Sequence, residues 1–197
     1  MTPFYTVLSL WVGILLLMSL LSTNVHGDYK PNEVYFGRGL TFLTITIIQA
    51  LIVSLGDIYL LKAQVLNIPL FILISVFTSI VFTSIVYSLV SLFGNIGKAI
   101  GVVLLVIQVA GSGGTFPIQV TPKFFQIVNP LLPFTYAIYA LRETIGGIYM
   151  PNLIKDLSTL VIYIIIFVSL TVIFKKPINK ITQKMQDKFN ESDLTGH

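Results

Sequence analysis

The chain has 197 residues, 55% of them hydrophobic and only 10% charged, and its mean hydropathy is +0.89. Soluble domains carry roughly 25% charged residues, so these figures exclude an ordinary water-soluble enzyme and point to an integral membrane protein. No cysteine is present, which excludes a disulfide framework, a thiolate metal site and a catalytic thiol.

Charge-free apolar runs occupy residues 4–21, 39–56, 68–93, 99–116, 124–141 and 157–174. At about 1.5 Å per residue, 18 residues cover roughly 27 Å, close to a hydrocarbon core of about 30 Å. The first run places Ser9 and Gly13 four apart, a spacing at which small residues let helices approach closely. The second carries Gln49 near its middle and Asp57 near its far end. Interhelical hydrogen bonding is the plain reading of Gln49, and a hydrated end or a pair with Lys62 is that of Asp57. Contact with a transported polar group is the sharper one. The third run repeats Ser75, Ser79 and Thr83 at four-residue spacing, a stripe that serves either helix packing or a substrate-lining face. The fourth begins with Gly97 and Gly101, again a packing signature, and carries Gln108, which is read in the same two ways as Gln49.

Between residues 111 and 147 the apolar pattern breaks at Gly111, Gly113, Gly114, Pro117, Pro122, Pro130 and Pro133. Each unpaired backbone N–H or C=O in hydrocarbon costs several kcal/mol, so this break must be shielded by protein or lie near water. The fifth run, with Pro130 and Pro133 inside NPLLP, therefore reads as two short helices that dip in and return; a plain sixth span is the alternative. Arg142 and Glu143 adjoin Tyr136, Tyr139 and Tyr149, either as an interfacial aromatic belt or as an outer gate built with the Gly and Pro positions. The expected architecture is all-α: five spanning helices plus a broken, re-entrant outer segment.

Lys175, Lys176, Lys180, Lys184 and Lys188 follow the last run, and Pro177 there suits a first helical turn. Ile178, Ile181, Met185 and Phe189 share one helical face, so residues 175–197 read as a basic amphipathic tail on the membrane surface behind one membrane domain, residues 1–174. Cytoplasmic flanks hold the excess of Lys and Arg, which places the tail inside the cell membrane. Five spans then put Lys30, Arg38 and Lys98 on the same side, and Lys62, Lys123, Arg142 and Lys155 outside. Without the tail the basic residues do not separate five spans from six; the broken helix does. An outside N-terminus with no basic residue before the first run is expected of a chain preceded by an earlier part with its own span.

No catalytic set emerges. Gly97-Lys98 lacks the remaining residues of a phosphate loop, since Leu92 and Ala99 stand where Gly and Ser or Thr belong. His26 and His197 are isolated, and no carboxylate pair falls at helical spacing within a run. The expectation is a non-enzymatic chain with no cofactor, no metal and no nucleic-acid partner.

Four stretches, LWVG at 10–13, FGNIGKAIGVVLLVIQ at 93–108, GSGGTFPIQVTPKFF at 111–125 and LPFTYAIYALRETIGG at 132–147, resemble the C-terminal membrane region of the YhgE/Pip family, the phage infection proteins of Gram-positive bacteria, within the type-2 ABC-exporter superfamily. The resemblance implies one N-terminal span and a large external domain ahead of five spans, of which this chain would be a fragment. It further implies a homodimer or similar pair exporting amphipathic or polymeric material, with any ATPase on a separate subunit. The stretch 23–37 and the turn 94–98 would be where that subunit docks. The alternative function is a non-transporting anchor or receptor scaffold, serving phage or secretion, whose binding domain lies outside the chain.

Overall fold

The computed structural model describes residues 1–21 and 31–194, with side chains for residues 1–21 and 33–175. The described residues form helices α1 (Thr2–Leu20), α2 (Pro31–Tyr59), α3 (Ile68–Phe93), α4 (Asn95–Gly111), α5 (Lys123–Val128), α6 (Pro133–Gly146) and α7 (Met150–Leu194). Single 3-10 turns at Ile118–Val120 and Asn129–Leu131 flank α5. Four stretches are long and apolar enough to cross a membrane: Thr2–Leu20, Glu33–Tyr59, Ile68–Phe93 and Met150–Lys175. Helix α4 is a shorter apolar helix of 17 residues, about 25 Å long. It starts four residues earlier than its apolar run and ends at Gly111, where the glycines begin.

Helices α1, α2 and α3 alternate in direction along the chain, so α3 runs parallel to α1 and also to α7, and the bundle has two ends. At one end Asp57 of α2 meets Thr6 of α1, and the Thr144 carbonyl accepts from Leu66 N and Asn67 N. At the other, α3 passes into α4 through Gly94 alone, at φ +58°, a backbone region open chiefly to glycine. Gly97 then lies so close to α3 that a Cβ there would stand 2.1 Å from the Leu89 carbonyl oxygen. One turn on, Gly101 packs against Leu15, and its carbonyl accepts from Trp11 Nε1 at 3.2 Å. The GxxxG spacing thus lets one face of α4 seat on α1 and α3 together.

Trp11, at the middle of α1, centres the core. Its ring meets Phe82 of α3 edge-on at 5.0 Å and Phe134 of α6 at 5.5 Å, while Phe82 and Phe134 stack at 5.2 Å. All three are fully buried. Since Phe134 is the second residue of α6, that helix begins level with the middle of α1 and rises to the Thr144 end, a half-helix instead of a crossing one. The segments Lys123–Leu131 and Pro133–Gly146 meet at 74°, as the dip-and-return reading of the Pro-rich run requires.

Two expectations for the end of the chain are corrected. Helix α7 runs unbroken through position 177, so Pro177 starts no new helix. Lys175, grouped by sequence with the surface tail, is instead buried at 6% exposure: its Nζ donates to Ser91 Oγ at 2.7 Å and lies 5.0 Å from the Tyr35 ring centre. A hydroxyl and a ring face receive the ammonium there, which is why it turns inward. The side chains of Lys176, Lys180, Lys184 and Lys188 lie outside the described residues, as does Lys30.

Close packing at Gly97 has a measurable consequence. Gly97→Ala forces a Cβ into backbone atoms of α3 and is expected to destabilise the protein by about 1–3 kcal/mol, the usual range for overpacking. Gly37→Ala, in α2 with nothing within 4 Å of its would-be Cβ, is expected to be neutral or to add up to about 1 kcal/mol through helix propensity. Thermal unfolding of the two variants in detergent, followed by helical circular dichroism, separates these outcomes; equal midpoints would contradict the packing assigned to Gly97.

Candidate functional site

The site is built where α4 stops. Four carbonyls at a helix C-terminus lack partners within the helix, and the α5–α6 hairpin supplies donors to the last of them, that of Gly111, and to the carbonyls of Gly113 and Gly114 just beyond. Asn129, at the bottom of the hairpin, donates Nδ2 to the Gly111 carbonyl at 2.7 Å and to Thr135 Oγ1 at 3.1 Å, and Thr135 returns a bond to the Asn129 carbonyl at 2.8 Å. Gly113 takes φ +69°, which turns the chain so that the carbonyls of Gly113 and Gly114 both accept from Arg142 Nη2, at 3.1 and 3.3 Å. A Cβ on Gly114 would collide with Phe4 and Ile138, and one on Gly111 would press on Leu132 and Phe125. These glycines therefore let α1, α6 and the hairpin close over the break.

The prolines terminate and start the short helices. Pro117 and Pro122 immediately precede the first 3-10 turn and α5, Pro130 lies in the second 3-10 turn, and Pro133 opens α6, where a missing N–H is harmless. Tyr136 Oη donates to the Pro130 carbonyl at 2.7 Å. Arg142 also lies 5.7 Å from the Tyr139 ring centre, and Glu143 accepts from Tyr149 N at 2.6 Å, bridging α6 to the start of α7. Gly111, Gly113, Gly114, Pro117, Pro130, Pro133, Arg142 and Glu143 thus all belong to the connection from α4 to α7, with Pro130 and Pro133 at mid-depth and Arg142 and Glu143 toward the Thr144 end.

Helix α6 has no side-chain cap from its own N-terminal residues. Gln108 of α4, at 1% exposure, supplies one from another helix: its Oε1 accepts from Phe134 N at 3.3 Å. The Gln108 Nε2 and Ser112 Oγ beside it are buried without a hydrogen-bond partner among the described residues.

The second group of sequence candidates is not brought together. Gln49 donates to the carbonyls of Ser9 and Leu10 and fills the space that Gly13 leaves, so it joins α2 to α1. Ser79 Oγ donates to the Thr46 carbonyl at 2.9 Å, Thr83 bonds Thr46 Oγ1 at 2.9 Å, and Ser75 bonds back to Phe71 within α3. The stripe faces α2 inside the bundle, while Gln108 faces α6. Thr83 and Ser84 do border an apolar groove of about 120 Å³ between α2, α3 and α7, with Phe36, Gly39, Leu40 and Val168. Among the described residues, no group of three His, Cys, Asp or Glu is placed to hold a metal ion.

Several features had escaped the sequence reading. Asp57 is buried at 7% exposure and bonded to Thr6, not hydrated or paired with Lys62. The stack of Lys175, Tyr35 and Tyr87, with Tyr87 Oη donating to the Tyr35 carbonyl at 2.8 Å, binds α7 and α2 to α3 at the Gly94 end. Asn129 carries the hairpin attachment; its position directly before Pro130, inside the fifth apolar run, was the one available signal.

Replacing Asn129 by Ala leaves the Gly111 carbonyl without that donor, at a cost of about 1–3 kcal/mol for a buried acceptor. Amide hydrogen exchange in lipid nanodiscs is expected to rise severalfold across residues 112–135 while α3 stays protected. Uniform exchange across the bundle, or none in the hairpin, would contradict the role given to Asn129.

Comparison with known proteins agrees with this architecture. Residues 2–173 match the family described as ABC-2 family transporter protein. The chain is 31% identical over 149 residues to a Bacillus subtilis (strain 168) protein named "Uncharacterized protein YhgE"; the match covers 75% of this chain and 19% of the relative, so the chain spans about a fifth of that protein's length. No solved structure matches it. With an all-helical membrane bundle, a re-entrant hairpin and a family match across nearly every described span, the chain belongs to the ABC-2 family of transporter proteins.

Proposed function

We propose that this chain is a permease-like membrane component that works in export as one of a pair, with the α5–α6 hairpin as its outer gate. One observation carries the reading: the α5 arm of the hairpin and its two flanking turns bury none of their residues and are fastened to α4 by the Asn129 side chain, while Arg142 and Gln108 tie α6, whose Phe134 is packed in the core, to the same place. Irregular backbone persists at membrane depth where it lines a cavity or is buried in protein, and a few replaceable bonds make such a segment movable. The gate residues are those gathered above, with Arg142 and Glu143 tying α6 to its two neighbours. The outward apolar face of α2, including Leu40, Ile48 and Ile52, offers the wall on which a second copy encloses a path beside the second and third helices.

The orientation that fits places the hairpin outside the cell membrane and the Gly94 turn and the tail, residues 175–197, in the cytoplasm. Energy would come from a separate ATPase docking near that turn. The second reading is a non-transporting anchor or receptor scaffold, favoured by the 81% of the YhgE relative that lies outside the match, given that 19% of it is covered. Both readings share the membrane domain and differ in whether the hairpin moves.

Because the chain has no cysteine, single Cys probes are clean. Lys62→Cys and Thr121→Cys are expected to react with an impermeant thiol reagent in intact cells, and Gly94→Cys only after lysis; the opposite pattern would invert the orientation. For export itself, the full natural chain in nanodiscs is expected to stimulate ATP hydrolysis by its ATPase subunit severalfold. Arg142→Ala, which frees two carbonyls of the hairpin, should change that stimulation. An assembly in which ATP hydrolysis never responds to this chain supports the scaffold reading instead.

A further inference from the structure

The buried junction of α4 and α6 holds hydrogen-bonding capacity that the chain does not use. Phe134 N–H donates to Gln108 Oε1, which fixes the orientation of that amide: its oxygen must face the N–H, so its NH2 group must point elsewhere. That NH2 is buried and finds no acceptor among the described residues. Ser112, one helical turn further along, is also fully buried with an unpartnered hydroxyl. The contrast with the rest of the chain is informative. Ser19, Ser75, Ser84, Ser158 and Thr171 each bond back to the carbonyl four residues before, the usual resolution for a hydroxyl in an apolar helix. Ser112 does not. Beside these two groups lies the N-terminus of α6, a 14-residue helix whose dipole presents partial positive charge and which starts at mid-bundle depth. The surroundings are apolar: Phe125 and Leu132 against Gly111, and Trp11 and Phe82 around Phe134.

An unused amide NH2 and a spare hydroxyl form a donor set with an acceptor missing, beside a helix N-terminus whose Phe134 and Thr135 N–H groups are already taken by Gln108 Oε1 and the Leu132 carbonyl. Leaving such donors bare costs about 1–3 kcal/mol each. Arg142 is engaged with the Gly113 and Gly114 carbonyls, and no cationic side chain contacts Gln108 or Ser112 among the bonds described, so the site suits an oxygen bearing at most one negative charge. Apolar walls immediately around it call for hydrocarbon next to that oxygen.

We propose that the α4–α6 junction is a binding site for the acyl head of a lipid-like amphiphile, whose carboxylate or carbonyl oxygen accepts from Gln108 Nε2 and Ser112 Oγ. This inference rests on the export reading above and names the chemistry of what the gate recognises. In the closed arrangement the site is enclosed; entry requires the hairpin to part from α4. Thereby Gln108 has two roles, capping α6 when the hairpin is shut and offering donors to the amphiphile when it opens.

The test uses the full natural chain in nanodiscs with two photoreactive probes of equal length, a diazirine fatty acid and the diazirine hydrocarbon lacking its head. The fatty acid is expected to label peptides within residues 108–135 saturably, and Ser112→Ala and Gln108→Met each to reduce that labelling about tenfold. The hydrocarbon should label without saturation and without regard to either change. Ser112→Ala leaves the Gln108 bond to Phe134 intact, so it carries the test if Gln108→Met fails to fold. Equal labelling of wild type and variants, or saturable labelling by the headless probe, overturns the proposal, as does a junction occupied by water alone. A chain that stimulates its ATPase yet shows no head-dependent labelling defeats this inference and leaves export standing. Head-dependent labelling without any ATPase response does the reverse.

Discussion

Backbone amides and carbonyls in hydrocarbon must find partners within the protein, and everything distinctive about this chain follows from how that requirement is met at one place. Helices α1, α2, α3 and α7 satisfy it internally. The stretch from Gly111 to Leu132 does not form one continuous helix, so its free carbonyls draw donors from residues far away in sequence: Asn129 for Gly111 and Arg142 for Gly113 and Gly114. The N-terminus of α6 receives an acceptor from Gln108 by the same logic. A broken segment satisfied by side chains, one its own, Asn129, and two from the flanking helices, Arg142 and Gln108, is attached by specific bonds that can be exchanged for others, whereas a continuous helix is not.

The bundle around it provides the fixed frame. Trp11, Phe82 and Phe134 contribute burial and edge-to-face contacts of about 0.5–1.5 kcal/mol each beyond area, and they bring α1, α3 and α6 to one point. Thr46, Ser79 and Thr83 join α2 to α3, and Gln49 joins α2 to α1. At the opposite end Tyr35, Tyr87, Ser91 and Lys175 lock α7 onto the same helix. Helix α3 is therefore the post against which the others are set. The end carrying Lys175 is held by a buried ammonium against the Tyr35 ring, and the end carrying the hairpin by hydrogen bonds to the carbonyls of Gly111, Gly113 and Gly114.

Apolar length and the position of Gly and Pro made the spans and the break legible in sequence, because both reflect local backbone physics: rise per residue, a missing N–H and access to positive φ. The Gly97 and Gly101 spacing was readable for the same reason. What escaped were choices of partner. Nothing local marks Lys175 as turning inward, and only the tertiary arrangement places Ser91 and the Tyr35 ring within its reach. Asp57 looked hydrated because it stands near a helix end, yet α1 covers it with Thr6. For the polar residues inside the spans, sequence offered packing or path as alternatives; their hydrogen bonds show with which helix each is engaged, and Gln108, which accepts through its oxygen where Gln49 donates through its nitrogen, is left with a buried donor unused.

That difference bears on how a transporter-like bundle is able to move at all. Gln49 uses its amide to hold two continuous helices, α1 and α2, and losing it would loosen packing without offering a new arrangement. Gln108 uses half of its amide to hold a half-helix and keeps the other half unused in a buried place. A buried donor without an acceptor raises the free energy of this arrangement relative to any in which that donor is satisfied. The hairpin is thus held by Asn129 and Arg142 against an unmet requirement at Gln108 and Ser112. Were it to move as the proposed gate, the bonds would favour closure and the unmet requirement opening, the two terms that a two-state element needs.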